Sequence, residues 1–207
     1  LTYAEIPYDV IYDDDILQDK LSKYDWLHLH HEDFTGQYGR FWSSFKFASW
    51  YQEDVKNQEA LAKRMGYKKV SEMKLAVAKH IKEYCAGGGF LFAMCSGTDS
   101  FDIALAAEGV DICAEMFDGD PADPNAQAKL DYNKTLAFQN FKLDTNPMNY
   151  EFSNIDVTQT RNLNEGNDYF SLFDFSAKWD LVPTMLTQNH DKVIKGFMGQ
   201  TTAFNKS

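Results

Sequence analysis

The residues best suited to chemistry gather at two predicted strand ends. The first group is Phe92-Ala-Met-Cys95-Ser-Gly97, where a continuous apolar run from Phe90 to Met94 meets a helical pattern reaching Ala107. A thiol on such a turn projects its sulfur among the unpaired N–H groups of the helix start. Those donors stabilise charge on a nucleophilic sulfur or on the oxyanion of an attacked carbonyl. The competing reading makes Cys95 a small buried hydrophobe, as most free cysteines are. The second group is His28-Leu-His30-His31-Glu32-Asp33. On a strand, His28 and His30 share one face and His31 points to the other. Two imidazoles and a carboxylate suit zinc, but the preferred reading is a polar pocket wall of His30, His31 and Glu32 with no metal. A third group, Asp118-Gly-Asp120-Pro-Ala-Asp123, lacks the distal glutamate of a helix-loop-helix calcium site and reads as a rigid acidic turn. The three glycines 87–89 precede a strand instead of following one, so they are no dinucleotide fingerprint. No cofactor is called for.

Positioning these groups requires an alternation of strands and helices. Residues 1–6 read as the last turns of a helix, and residues 8–12 (Tyr-Asp-Val-Ile-Tyr) as a short strand with a β-branched centre. The acidic run 13–15 suits the first turn of a helix ending near Lys23. Trp26-Leu-His-Leu-His30 alternates at period two and predicts a second strand. From Arg40 to Arg64 no glycine or proline interrupts one helix or two. Ser71 is placed to cap a helix from Glu72 to Tyr84, which the three glycines end. The run 90–94 then predicts a strand buried on both faces. Residues 117–178 read as an irregular insertion or flank, and 180–186 and 193–197 as late strands, the first demoted to an edge by Pro183. The pattern predicts a single three-layer α/β/α domain over 1–207 with a mostly parallel sheet. It looks incomplete at both ends, since a partial helix opens it and no closing element ends it.

The strand followed by Met94-Cys95-Ser96-Gly97 resembles the nucleophile elbow of class I glutamine amidotransferase-like domains, whose pattern is Gly-aliphatic-Cys-any-Gly. Ala93 stands where the first glycine would be. With Leu29-His-His-Glu-Asp-Phe-Thr-Gly36, the wider run from Gly88 to Phe101 is similar to an uncharacterised bacterial family often labelled asparagine synthetase B. That similarity covers most of the chain, whereas the elbow pattern covers only a few residues. It implies a flavodoxin-like fold and a hydrolase or amidotransferase with Cys95 as nucleophile. The Ser96 N–H and the loop of Thr35, Gly36 and Gln37 would serve as oxyanion donors. The family pattern also places a His-any-Glu pair after a late strand. Here the catalytic candidate beside Cys95 is His190, the only histidine beyond it, and it is followed by Asp191 and Lys192, so catalysis is expected to be incomplete in this chain. The alternative is a non-catalytic binding module on the same fold. Asparagine synthesis itself is disfavoured, because Ser96-Gly-Thr-Asp-Ser100 is one residue short of the Ser-Gly-Gly-any-Asp-Ser pyrophosphate loop.

Composition bounds these readings. In 207 residues, 44% are apolar and 15% aromatic, enough to order a core and exclude a disordered chain. A formal net charge of −11 argues against nucleic-acid partners, and no apolar run approaches the ~20 residues of a membrane span. The expected partners are a small-molecule ligand and a second copy of the chain, because a parallel sheet lacking its first strand would expose an edge. Three cysteines make no disulfide framework, and the compartment stays open between bacterial cytoplasm and cell envelope.

Overall fold

The computed structural model describes residues 5–156, 169–171 and 193–195. The chain divides into two compact units, one of residues 1–156 with 205–207, the other of residues 157–204. In the second, β3 (Tyr169–Ser171) pairs antiparallel with β4 (Val193–Lys195), which meets the strand expected near 193–197. The expected strand at 180–186, His190 and residues 1–4 lie outside the described residues.

The first unit is mixed α/β, mostly helical, with a two-stranded parallel sheet. Its order is α1 (Asp13–Leu17), β1 (Trp26–His30), α2 (Trp42–Phe45), α3 (Ser49–Arg64), α4 (Val70–Ala86), β2 (Phe90–Met94), α5 (Ser96–Ala106), α6 (Glu115–Asp118) and α7 (Ala126–Lys129). The sheet pairs Trp26 with Phe90 through His30 with Met94, so both strands end side by side. Their crossover is the run α2 to α4. Among the described residues, no helix is long and apolar enough to cross a membrane.

Helix α4 supplies the central face. Met73, Val77 and Ile81 recur at i, i+4 and i+8 and are fully buried. They carry the helix against two packed groups, one with Leu27, Leu29 and Phe101 under the sheet, the other with Tyr38, Tyr51 and Phe117. Its N-cap is Lys69, not Ser71: Glu72 reaches back to accept the Lys68 and Lys69 N–H groups at 3.0 and 3.3 Å. Helix α5 is buried nearly all round, from Asp99 through Ala106. Of residues 117–178, expected as an irregular insertion or flank, those up to 156 belong to the first unit: Phe141, Phe152 and Ile155 pack on Ile103 and Ala106.

Three further sequence expectations fail. The helix after residue 13 breaks at Asp19, which adopts φ 60°, and resumes only as a 3-10 turn, Lys20–Lys23. Residues 8–12 form no strand, and Tyr8, Val10 and Tyr12 are exposed. Strand β2 is not buried on both faces. Leu91 and Ala93 pack on the core, while Phe90 is 61% exposed and Phe92 and Met94 share its open face with Trp26, His28 and His30. The β2 alternation was hidden because its solvent-side residues are themselves apolar.

Candidate functional site

Both strands end in a residue with left-handed backbone: His31 at φ 53° after β1, and Cys95 at φ 52°, ψ −136° after β2. For a residue with a Cβ this conformation costs on the order of 1–3 kcal/mol, and it persists only where surrounding packing enforces it. At Cys95 the enforcement is visible. Strand β2 fixes one side and buried α5 the other, and a Cβ added at Gly97 would already touch Leu29 and Glu32. The turn places Cys95, half-buried, at the start of α5, where the Ser96 and Gly97 N–H groups have no intrahelical acceptor.

Tyr150 meets the sulfur. Its phenol hydrogen-bonds the Cys95 side chain, and burial, reinforced by that sulfur, holds Tyr150 well above the ordinary phenol range. The loop carrying it is held by Arg40, itself 2% exposed. The guanidinium donates to the carbonyls of Asp144 (2.9 Å), Asn146 and Glu151, and the Phe41 ring lies 5.7 Å from that of Tyr150. Burial pulls the Arg40 pKa down, against the attraction of Asp144, Asp33 and Glu151.

Asp99, four residues after Cys95, adds an unusual acid. Burial, and then the charge of Asp156, push its carboxyl up to about 7, although the Ser100 N–H donates to it at 2.9 Å. It is therefore part protonated at neutral pH, and it is among the charges acting on Tyr150. Neither Tyr150 nor Arg40 carried any signal in the sequence. Asp99 was visible only as part of the Ser96–Ser100 run.

The residues expected from sequence are partly gathered here. Ser96 and Gly97 form the first turn of α5, and His30 pairs in register with Met94, one residue before Cys95. His31 follows His30, their rings 4.1 Å apart. Burial, and then His30, lower the His31 pKa, which favours a neutral imidazole. Burial raises the Glu32 carboxyl, in spite of Lys74 at 3.6 Å. His28 turns to Met94, Nε2 to Sδ 3.1 Å.

In the Thr35–Gln37 loop, expected to supply oxyanion donors, the Thr35 and Gln37 N–H groups already have an acceptor. The Asp33 carboxylate takes the Thr35 N–H (2.7 Å), the Gln37 N–H (3.0 Å) and the Gly39 N–H (2.8 Å), as well as the Thr35 hydroxyl (2.6 Å). Gly36, at φ 80°, lets the loop approach α4, since a Cβ there would lie 2.6 Å from the Ser71 nitrogen.

The acidic turn also finds a structural use. Asp111, Cys113 and Asp118 bring ligand-type atoms within 4.8 Å of one another. The Lys69 ammonium already occupies the place of a cation, 2.6 Å from Asp111, 2.9 Å from Asp118 and 2.5 Å from Asp120. Burial keeps the Cys113 thiol well above its ordinary range, and it donates to the Thr35 carbonyl at 3.3 Å.

Comparison with protein-family models, with curated proteins and with solved structures gives no match for this chain.

Proposed function

We propose that the chain is a hydrolase or amidotransferase with Cys95 as nucleophile, on a flavodoxin-like, three-layer fold of the class I glutamine amidotransferase type. The observation that carries this reading is the Cys95 backbone at φ 52°, ψ −136° between a parallel strand and a buried helix. A strained non-glycine residue there has no packing advantage over glycine, so its side chain is what the turn is kept for. The Cys95 sulfur would attack an amide carbonyl, forming a C–S bond while the carbonyl oxygen takes the negative charge. The Ser96 and Gly97 N–H groups would hold that oxyanion. His31, favoured as neutral, would accept the thiol proton and return it to the leaving amine as the C–N bond breaks. Water would then hydrolyse the thioester. Tyr150, which stays protonated, would donate a hydrogen bond to the sulfur and orient it. His190, the other catalytic candidate read from the sequence, lies outside the described residues.

Two further readings stand apart. A non-catalytic binding module is favoured by the exposed apolar side chains of Trp26, Phe90 and Phe92 on one sheet face. Asparagine synthesis loses support, because Ser96 to Ser100 is the first turn of α5, with Asp99 and Ser100 buried, and not an open phosphate loop.

The test is thiol reactivity in the folded protein. Burial raises the Cys85 and Cys113 pKa values, so iodoacetamide at pH 7.5 should label Cys95 at least about tenfold faster than either. Mass spectrometry of tryptic peptides reads the order. Earlier labelling of Cys85 or Cys113 would overturn the assignment. Labelling of Cys95 with no ammonia released from any primary amide would favour the binding module.

A further inference from the structure

A cavity of about 810 Å³ separates residues 8–12 from strand β1, whose five residues all line it. The β1 edge facing away from β2 is defined by the ladder. Phe90 N–H donates to the Asp25 carbonyl at 3.0 Å, so the peptide groups of residues 25, 27 and 29 turn toward β2. By alternation those of Trp26, His28 and His30 point the other way. Among the described residues no strand pairs with that edge.

The chain beside it has the properties of a strand. Residues 8–12 read Tyr-Asp-Val-Ile-Tyr, and Tyr12 is already extended at φ −120°, ψ 176°. Tyr24 Oη donates to Asp9 at 2.9 Å, tethering the segment next to β1. Ile11 packs on the same core group as Leu27 and Leu29. In parallel strands of one hand, residues facing the same side also turn their peptide groups the same way. Leu27 and Leu29 turn theirs from β1 toward β2, so a strand on the other edge with Ile11 facing the core would turn its Asp9 and Ile11 groups toward β1. The connection also has the needed length: residues 13–25 number 13 and contain α1 and a 3-10 turn, and a parallel crossover takes about a dozen residues or more.

We propose that residues 8–12 are a third parallel strand, docking along the free edge of β1 with residues 13–25 as crossover and closing the cavity between them. The described arrangement is then the undocked form of a strap. The proposal is independent of the chemistry at Cys95.

Amide-resolved hydrogen exchange on the full chain tests it. Docking should protect the Ile11, His28 and His30 amides to within about tenfold of Leu27 and Leu29, which bond to β2. In Ile11→Pro, which removes the Ile11 donor, His28 and His30 should exchange at least tenfold faster while Leu27 and Leu29 stay slow. Ile11→Ala, which keeps the N–H, should retain their protection. Free exchange at His28 and His30 in the unmodified chain overturns the proposal without recourse to any variant. So does protection there with Ile11 unprotected, or protection unchanged by Ile11→Pro, since something else would then cover the edge.

Discussion

The turns after β1 and after β2 begin alike and end in opposite states. Each leaves a parallel strand through a left-handed residue, His31 or Cys95, and the two lie side by side. In the first, Asp33 absorbs three backbone N–H groups and a hydroxyl. Ser100 closes what remains, donating to the Glu32 carbonyl at 3.0 Å and accepting from the Phe34 N–H at 3.3 Å. In the second, the Ser96 and Gly97 N–H groups at the start of α5 have no helical acceptor, and the residue before them is Cys95. The saturated turn serves the open one. Asp33 shapes the left-handed run Tyr38, Gly39 and Arg40, and Arg40 holds the loop that brings Tyr150 to Cys95.

Breaking the saturated turn should have the largest effect. Asp33→Ala strands four donors in a buried loop, each costing about 1–3 kcal/mol, so a loss of about 5 kcal/mol is expected in urea unfolding. A loss below about 2 kcal/mol would mean that the Asp33 bonds are not what stabilises this turn.

Asp99 should show the opposite behaviour, because the open turn holds an acid that resists ionisation. Its carboxyl moves from 3.8 to about 7 on folding, so between those values the unfolded chain binds fewer protons than the folded one. The resulting penalty is absent below about pH 4, grows as pH rises, and is complete above about pH 7, reaching about 4 kcal/mol. Asp99→Asn should therefore gain stability relative to the unmodified chain as pH rises from 4 to 8. Unfolding free energies measured across that range would show parallel curves if Asp99 were not the group responsible.

Arg40→Met tests the link between the turns. It removes the Arg40 donor from the carbonyls of Asp144, Glu151 and Asn146, of which Asn146 keeps the Asn149 N–H, at an expected cost of about 3 kcal/mol. It should also change the iodoacetamide labelling rate of Cys95 by releasing the Tyr150 loop. Lost stability with an unaltered Cys95 rate would separate Arg40 from the site.

What the sequence made legible follows from how local each cause is. Strand β1 showed through its alternation, and the junction of β2 with α5 through an apolar run abutting a helical pattern. The acidic first turn of α1 was likewise readable. The open face of the sheet was not, because Phe90, Phe92 and Met94 are as apolar as Leu91 and Ala93 beneath them. The α4 start was misplaced because Glu72 reaches back past Ser71 to Lys68 and Lys69. Tyr150 left no trace, since it reaches Cys95 only through Arg40, a residue 111 positions from Glu151. The Thr35–Gln37 loop reads as a set of oxyanion donors, whereas Asp33, two residues ahead of Thr35, has the Asx-turn spacing that takes the Thr35 and Gln37 N–H groups.

The smallest expected effect comes from the glycines of the two turns, taken as a pair. At Gly36 an added Cβ would lie 2.6 Å from the Ser71 nitrogen and 2.7 Å from its Cα, with φ at 80°. Gly36→Ala should therefore be plainly destabilising, by about 2 kcal/mol or more. At Gly97 the nearest atoms would be Leu29 Cβ at 3.5 Å, Glu32 N at 3.6 Å and Glu32 Cβ at 3.8 Å, which is ordinary contact. The position lies in the first turn of α5, where the helix preference for alanine offsets part of any crowding. Gly97→Ala should accordingly change stability by less than about 0.5 kcal/mol in urea unfolding. Folding thus gives little reason for glycine at 97, in contrast to 36. If Gly97→Ala folds normally and labels at Cys95 as before, yet loses turnover of an amide substrate, the missing side chain serves the approach of that substrate to the α5 N–H groups. If it unfolds, the turn after β2 is as tightly built as the turn after β1, and the contrast between them fails.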